Sequence, residues 1–172
     1  MSSFSSFCRF LFLLVLSATL SLSASAQQHE HKHIASSDET ESGIMVMNGY
    51  ARATFAMAKT AAVYFTLHNT TDHPITLTQV AVDNAVADEA QIHTTEMQGD
   101  VMKMRELTEG VQIGGQAMVN FQSGGYHVML LGLQKGLTEG SDVALTLTFD
   151  HTKTLDIVLP VKQSQQHGHH HH

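Results

Sequence analysis

Two histidines and two methionines carry the chemistry of this sequence. His93 and Met104 lie in Gln91-Ile-His-Thr-Thr-Glu-Met-Gln-Gly-Asp-Val-Met-Lys-Met104, and His127 and Met129 in Gly124-Gly-Tyr-His-Val-Met-Leu-Leu-Gly-Leu133. Two imidazoles and two thioethers make a neutral, fairly soft ligand set, which suits Cu(I) better than a hard cation such as Mg²⁺ or Ca²⁺. The single cysteine, Cys8, falls in an N-terminal segment read below as removed, so these are the softest ligands left to the chain. If the four side chains converge, the protein handles copper. The competing reading is that methionine fills a core and a strand histidine is held by hydrogen bonds. Against it stands the concentration of both residue types in two short segments.

The elements that must position these residues are strands. In Val143-Ala-Leu-Thr-Leu-Thr-Phe149 the apolar residues alternate with threonine, the period of a half-buried strand. Ala62 to Leu67, Ile75 to Val82 and Thr154 to Val161 read the same way, and Ile44 to Tyr50, Ala90 to Thr95, Val101 to Leu107, Ala117 to Phe121 and Tyr126 to Leu131 fill the gaps. Turns at Asn69–Pro74, Gly99-Asp100, Gly114-Gly115, Gly124-Gly125 and Glu139-Gly140 separate them. Asp83 to Ala87 suggests one helical turn, and no amphipathic helix of normal length stands out. About nine short strands with regular turns predict an all-β antiparallel sandwich or barrel. Alternation puts His127 and Met129 on one face of their strand, with Tyr126, Val128 and Leu130 on the other. Met102 and Met104 also share a face. The Gly99-Asp100 turn folds Val101–Leu107 back beside the strand of His93, with the register left open. Four ligands would then come from three strands.

The chain ends read differently. Residues 1–26 carry one charge, Arg9, then a short apolar run and Ala24-Ser25-Ala26, the pattern of a secretory signal peptide. The run is too short to span a bilayer, so no transmembrane anchor is expected in the mature chain. Removal of Arg9 leaves eight basic against 16 acidic residues, a net charge of −8. That balance argues against nucleic acid, which calls for a basic patch. Residues 27–43 form a polar tail, residues 44–162 the folded domain, and residues 163–172 a second polar tail. Export also rationalises the ligands, because thioether and imidazole avoid the disulfide exchange open to an exported thiol.

Residues 44–161 resemble the periplasmic copper chaperone family PCu(A)C. The resemblance rests on Gly49-Tyr-Ala-Arg-Ala-Thr54, Ala61-Ala-Val-Tyr-Phe-Thr-Leu-His-Asn69 and, most specifically, Gly124 to Leu133. In that family a His, a Met about ten residues on, and a later His-x-Met bind Cu(I). The matching residues here are His93, Met104, His127 and Met129, with ten residues between the first two. Tyr50 stands where a Trp is expected, a departure that bears on packing. Met102 is the runner-up for Met104, and Met97 a weaker candidate. The resemblance implies a cupredoxin-like β-sandwich and a copper carrier, and the chain is expected to be monomeric and without enzymatic activity. Its cargo would go to the copper-bearing subunit of cytochrome c oxidase, at the dinuclear copper centre, or to another periplasmic copper carrier. The alternative is a periplasmic copper or zinc buffering or resistance protein without an oxidase partner.

Two histidine clusters flank the domain: His29, His31 and His33, and His167, His169, His170, His171 and His172. Flexible imidazoles suit Cu(II) as well as Zn²⁺ and Ni²⁺, so both tails are candidate additional metal sites. The C-terminal cluster reads as a native tail or a purification tag, and its interruption by Gly168 favours the tail. His68, His73 and His151 read as ordinary surface residues. A blue-copper carrier is excluded by the missing thiolate. A hydrolase finds no G-x-S-x-G or H-E-x-x-H.

Overall fold

The computed structural model describes residues 43–150 and 152–163. The signal-peptide segment, nearly all of the N-terminal tail, His151 and the C-terminal histidine cluster lie outside the described residues. Ten strands follow in chain order: β1 (Ile44–Arg52), β2 (Thr60–Asn69), β3 (Ile75–Val82), β4 (Glu89–Gln98), β5 (Val101–Glu106), β6 (Val111–Ile113), β7 (Met118–Phe121), β8 (His127–Leu131), β9 (Asp142–Phe149) and β10 (Lys153–Lys162). The sequence predicts nine. The additional strand, β6, has three residues, too few for a period of two to declare itself. Asp83–Ala87 forms the expected single turn, where the Asp83 carbonyl accepts from the amides of Val86 and Ala87 and the Asp83 carboxylate from that of Ala85.

The strands hydrogen-bond in the order β5-β4-β8-β2-β1-β10-β9-β3-β6, and β7 pairs with β2 beside β8. Only two parallel residue pairs, Ala51–Val161 and Arg52–Lys162, join β1 to β10. They divide the order into two halves, β5-β4-β8-β2-β1 with β7, and β10-β9-β3-β6. Every other ladder is antiparallel. The inner side chains of both halves meet in one core that includes Val63, Phe65, Leu67, Leu77, Val128, Leu130, Leu145, Leu147 and Phe149. This is an all-β sandwich, as the alternating pattern predicts.

Two local devices shape the first half. A bulge in β1 at Asn48-Gly49 shifts the register between Met47 and Tyr50, with Asn48 at φ 55°. Met47 and Tyr50 therefore both face outward, where Tyr50 packs against Tyr64 with ring centroids 5.3 Å apart. At the far end, fully buried Asn69 donates to the carbonyls of His73 (2.7 Å) and Gly114 (3.0 Å) and accepts from Thr71. The Asn69 amide also donates to the Ala117 carbonyl at 3.0 Å. This knot seats the segment leading into β7 against the end of β2. Gly115 lets the two backbones close up, since a Cβ there would lie 2.4 Å from the Asp72 carbonyl oxygen.

Candidate metal centre

Inner and outer residues alternate along β8. Val128 and Leu130 are fully buried in the core, so His127 and Met129 face outward. On β4, Ile92 and Thr94 point inward, so Gln91, His93, Thr95 and Met97 share the outer face with them. The register joins these rows. His93 sits directly opposite His127, and Gln91 opposite Met129. Across the other edge of β4, His93 faces Glu106, Thr95 faces Met104 and Met97 faces Met102. Met104 is thus one diagonal step from His93 on the same face, a backbone separation of about 7–8 Å that a long side chain bridges. Met102 is two residues further out and Met97 lies opposite it, so neither shares that proximity.

The two imidazoles are oriented by different means. His127 is only 4% exposed, and its Nδ1 lies 2.9 Å from the Gly125 carbonyl oxygen. A carbonyl only accepts, so Nδ1 carries the proton and Nε2 keeps its lone pair. The Gly124-Gly125 turn, with Gly124 at φ 81°, presents that carbonyl. His93 Nε2 lies 2.9 Å from Gln91 Oε1, while the Gln91 amide nitrogen donates to Glu89 Oε1 at 3.0 Å. That relay fixes the amide so that its oxygen faces His93, and makes Nε2 the donor. His93 Nδ1 is then a buried lone pair with no hydrogen-bond partner, a costly arrangement unless the atom serves a ligand. The ring centroids are 5.8 Å apart at 53°. Two imidazoles sharing one ion at about 2.0 Å per nitrogen have centroids up to about 6 Å apart.

Desolvation, followed by the neighbouring His127, holds the His93 pKa below its ordinary value, and Glu106 opposes them. The balance favours the neutral imidazole that a metal needs. On the opposite face of the β4–β5 hairpin, Arg105 grips Glu96 through two bonds of 3.0 and 2.8 Å, and that hydrogen bond keeps the Glu96 carboxyl below its usual range. The bidentate pair braces the strand that carries Met104. Met104 itself is 62% exposed on the edge strand, and Met129 is half-buried. A groove of about 630 Å³ lined by Arg52, Phe55, Lys59, Ala62 and Met129 opens beside it. Among the described residues, no three His, Cys, Asp or Glu side chains gather into a harder site.

The structure places His93, Met104, His127 and Met129 on one face of three adjacent strands. It sets Met102 and Met97 farther out, and the tail histidines lie outside the described residues. Sequence reasoning missed Glu89 and Gln91, although Glu-x-Gln-x-His at period two on a strand would have put them on the histidine's own face. His73 is exposed, as expected of a surface residue, whereas His68 is half-buried.

A family model described as "Putative lipoprotein LpqE-like" matches residues 44–161. The "Putative lipoprotein Lxx21020" of Leifsonia xyli subsp. xyli (strain CTCB07) is 30% identical over 83 residues, 48% of this chain. The alignment spans about half the length of that relative, 50%. Among solved structures, the copper-bound PCuAC domain from PmoF2 is similar, with 21% identity, a TM-score of 0.57 and coverage of 70% of this chain and 93% of that one. The solution structure of CuI-DR1885 from Deinococcus radiodurans gives 27% identity, a TM-score of 0.55 and coverage of 75% and 87%. The family match and these neighbours agree with the resemblance read from the sequence, including its cupredoxin-like fold. The chain belongs to the LpqE-like family, with the fold of the PCuAC domains.

Proposed function

We propose that this protein is an exported copper chaperone. It binds Cu(I) through His93, Met104, His127 and Met129 and passes the ion on without catalysing a reaction. The observation that carries this reading is the pair of facing histidines, each with one nitrogen committed to a protein acceptor and the other left as a lone pair. Two methionines on the same face supply soft, neutral ligands. Such a set leaves the bound ion with a single positive charge and suits Cu(I) over harder cations. The copper-bound PmoF2 domain and Cu(I)-bound DR1885 support it as neighbours of the same fold.

The position of each ligand suits release. His93 and His127 are fixed by hydrogen bonds, whereas Met104 lies exposed on the edge strand. A partner's ligand entering from that edge would displace the Met104 thioether first, and the ion would cross by associative exchange with no change of oxidation state. We assign the recipient as the copper-bearing subunit of cytochrome c oxidase or another periplasmic copper carrier. Residues 1–26 would direct export to the periplasm. The two histidine clusters would serve as weaker Cu(II) sites, and their binding would decline below about pH 6.5 as imidazole protonates.

Competition with a Cu(I) chelator tests the ligand assignment. Replacing both Met104 and Met129 by Leu should lower Cu(I) affinity by about a hundredfold or more while leaving thermal stability nearly unchanged. Unchanged affinity would sink it. Transfer of Cu(I) to a soluble copper-bearing oxidase fragment separates a chaperone from a buffering protein that retains its metal.

A further inference from the structure

The methionines of this chain are distributed against the usual logic of packing. Methionine ordinarily fills gaps in a core, yet none appears among the core residues here. Those on strands, Met45, Met47, Met97, Met102, Met104, Met118 and Met129, all face outward on the same half of the sandwich. Met97, Met102, Met104 and Met129 belong to the end described above. The other three lie at the opposite end, around a histidine that site does not use.

That histidine is His68, on the outer face of β2. The register sets Met45 of β1 directly opposite it on one side and Met118 of β7 directly opposite it on the other. Directly opposed outer residues have Cβ atoms about 5 Å apart, so the imidazole stands between two thioethers in one row across three strands. Met47 lies one diagonal step away on β1, opposite Thr66. Met45 is 41% and Met118 58% exposed, and His68 is half-buried. Among the described residues, no hydrogen bond engages either nitrogen of the His68 ring. The row is held in register by the Asn69 knot, which ties the start of β7 to the end of β2 one residue beyond His68.

We propose that Met45, His68 and Met118 form a second binding site for Cu(I). One imidazole nitrogen and two thioethers make a neutral, three-coordinate soft set, and three rotatable bonds let each methionine lean over the histidine. This site lies on the same sheet face as the first. His68 is six steps along β2 from Ala62, the partner of Met129, or about 20 Å of strand. The two sites therefore share no ligand. With one imidazole not fixed by a hydrogen bond, the second site binds more weakly than the His93–His127 pair. It would hold copper at a second station on the face from which the ion is exchanged.

Carbon-13 labelled methionine methyl groups report each site separately in the full-length protein. Titration with Ag(I), a redox-inert stand-in for Cu(I), should move the Met45 and Met118 methyl signals together, with the His68 ring signals following the same isotherm. His68→Gln should weaken that isotherm by about tenfold or more and leave the Met104 and Met129 signals as in the wild type. Met45 and Met118 signals that stay fixed at saturating Ag(I), or that move equally in His68→Gln, would overturn the proposal. Because Met104 and Met129 are read independently, failure of the first site and failure of the second give different spectra.

Discussion

The two faces of the sheet half formed by β5, β4, β8, β2, β1 and β7 use different alphabets. The inner face is built from Val63, Phe65, Leu67, Ile92, Val128 and Leu130, all buried and without a methionine. The outer face, one residue away along each strand, carries His68, His93, His127 and seven methionines. A sheet with only packing to satisfy would put its flexible thioethers where gaps need filling. Here they stand where a soft ion can reach them. The inner face sets the register, because a one-residue slip would exchange the two faces. The outer face uses that register to bring histidines and methionines from distant parts of the chain into the same rows.

Substitutions on the two faces should separate cleanly. The largest effect is expected inside: Phe65→Ala, at a buried position on β2, should cost about 3–5 kcal/mol in denaturant unfolding. Next comes Gln91→Leu on the outer face. It removes the acceptor that sets the His93 tautomer, and should lower Cu(I) affinity by about tenfold with little change in the unfolding midpoint. Equal losses of stability and affinity would show that Gln91 acts through the fold instead.

A pH series sharpens the contrast further. The folded pKa of His93 lies below its unfolded value, so the unfolded state takes up the proton first. The stability contribution of this group is present above about pH 6.5 and declines as pH falls from there through the folded pKa. Cu(I) retention at the site that contains His93 should accordingly persist to lower pH than the Cu(II) binding proposed for the histidine tails. Coincident losses would contradict that ordering. The smallest effect is expected for Met102→Leu, within about twofold in Cu(I) affinity, against a clear loss for Met104→Leu. Reversal of the two would mean that the β4–β5 hairpin adopts another register in solution.

The alternating runs made nine of the ten strands legible, because a half-buried strand writes its burial into every second residue. Strand β6 escaped by brevity. Among the described residues, the pairing of β1 with β10 is the one parallel ladder, and it joins the first and last strands, which no local signal relates. At the candidate centre, strand parity alone put His127 and Met129 on one face. The choice between Met104 and Met102 could not be read that way, since both have the same parity; the spacing of the resemblance favours Met104, and the pairing of His93 with Glu106 sets it nearer to His93 than Met102. His68 illustrates the limit most clearly. Its neighbours come from positions 45 and 118, and nothing local to His68 announces that three strands will set them side by side.

X-ray absorption at the copper edge tests the central claim most directly. The protein is loaded with half an equivalent of Cu(I), so that the tighter site fills first, and compared with Met104→Leu. Mixed ligation by histidine nitrogen and two thioether sulfurs is expected in the wild type, with one sulfur lost in the variant. Ligation by nitrogen alone, or a sulfur count unchanged by Met104→Leu, would contradict the assignment of His93, Met104, His127 and Met129 as the copper ligands.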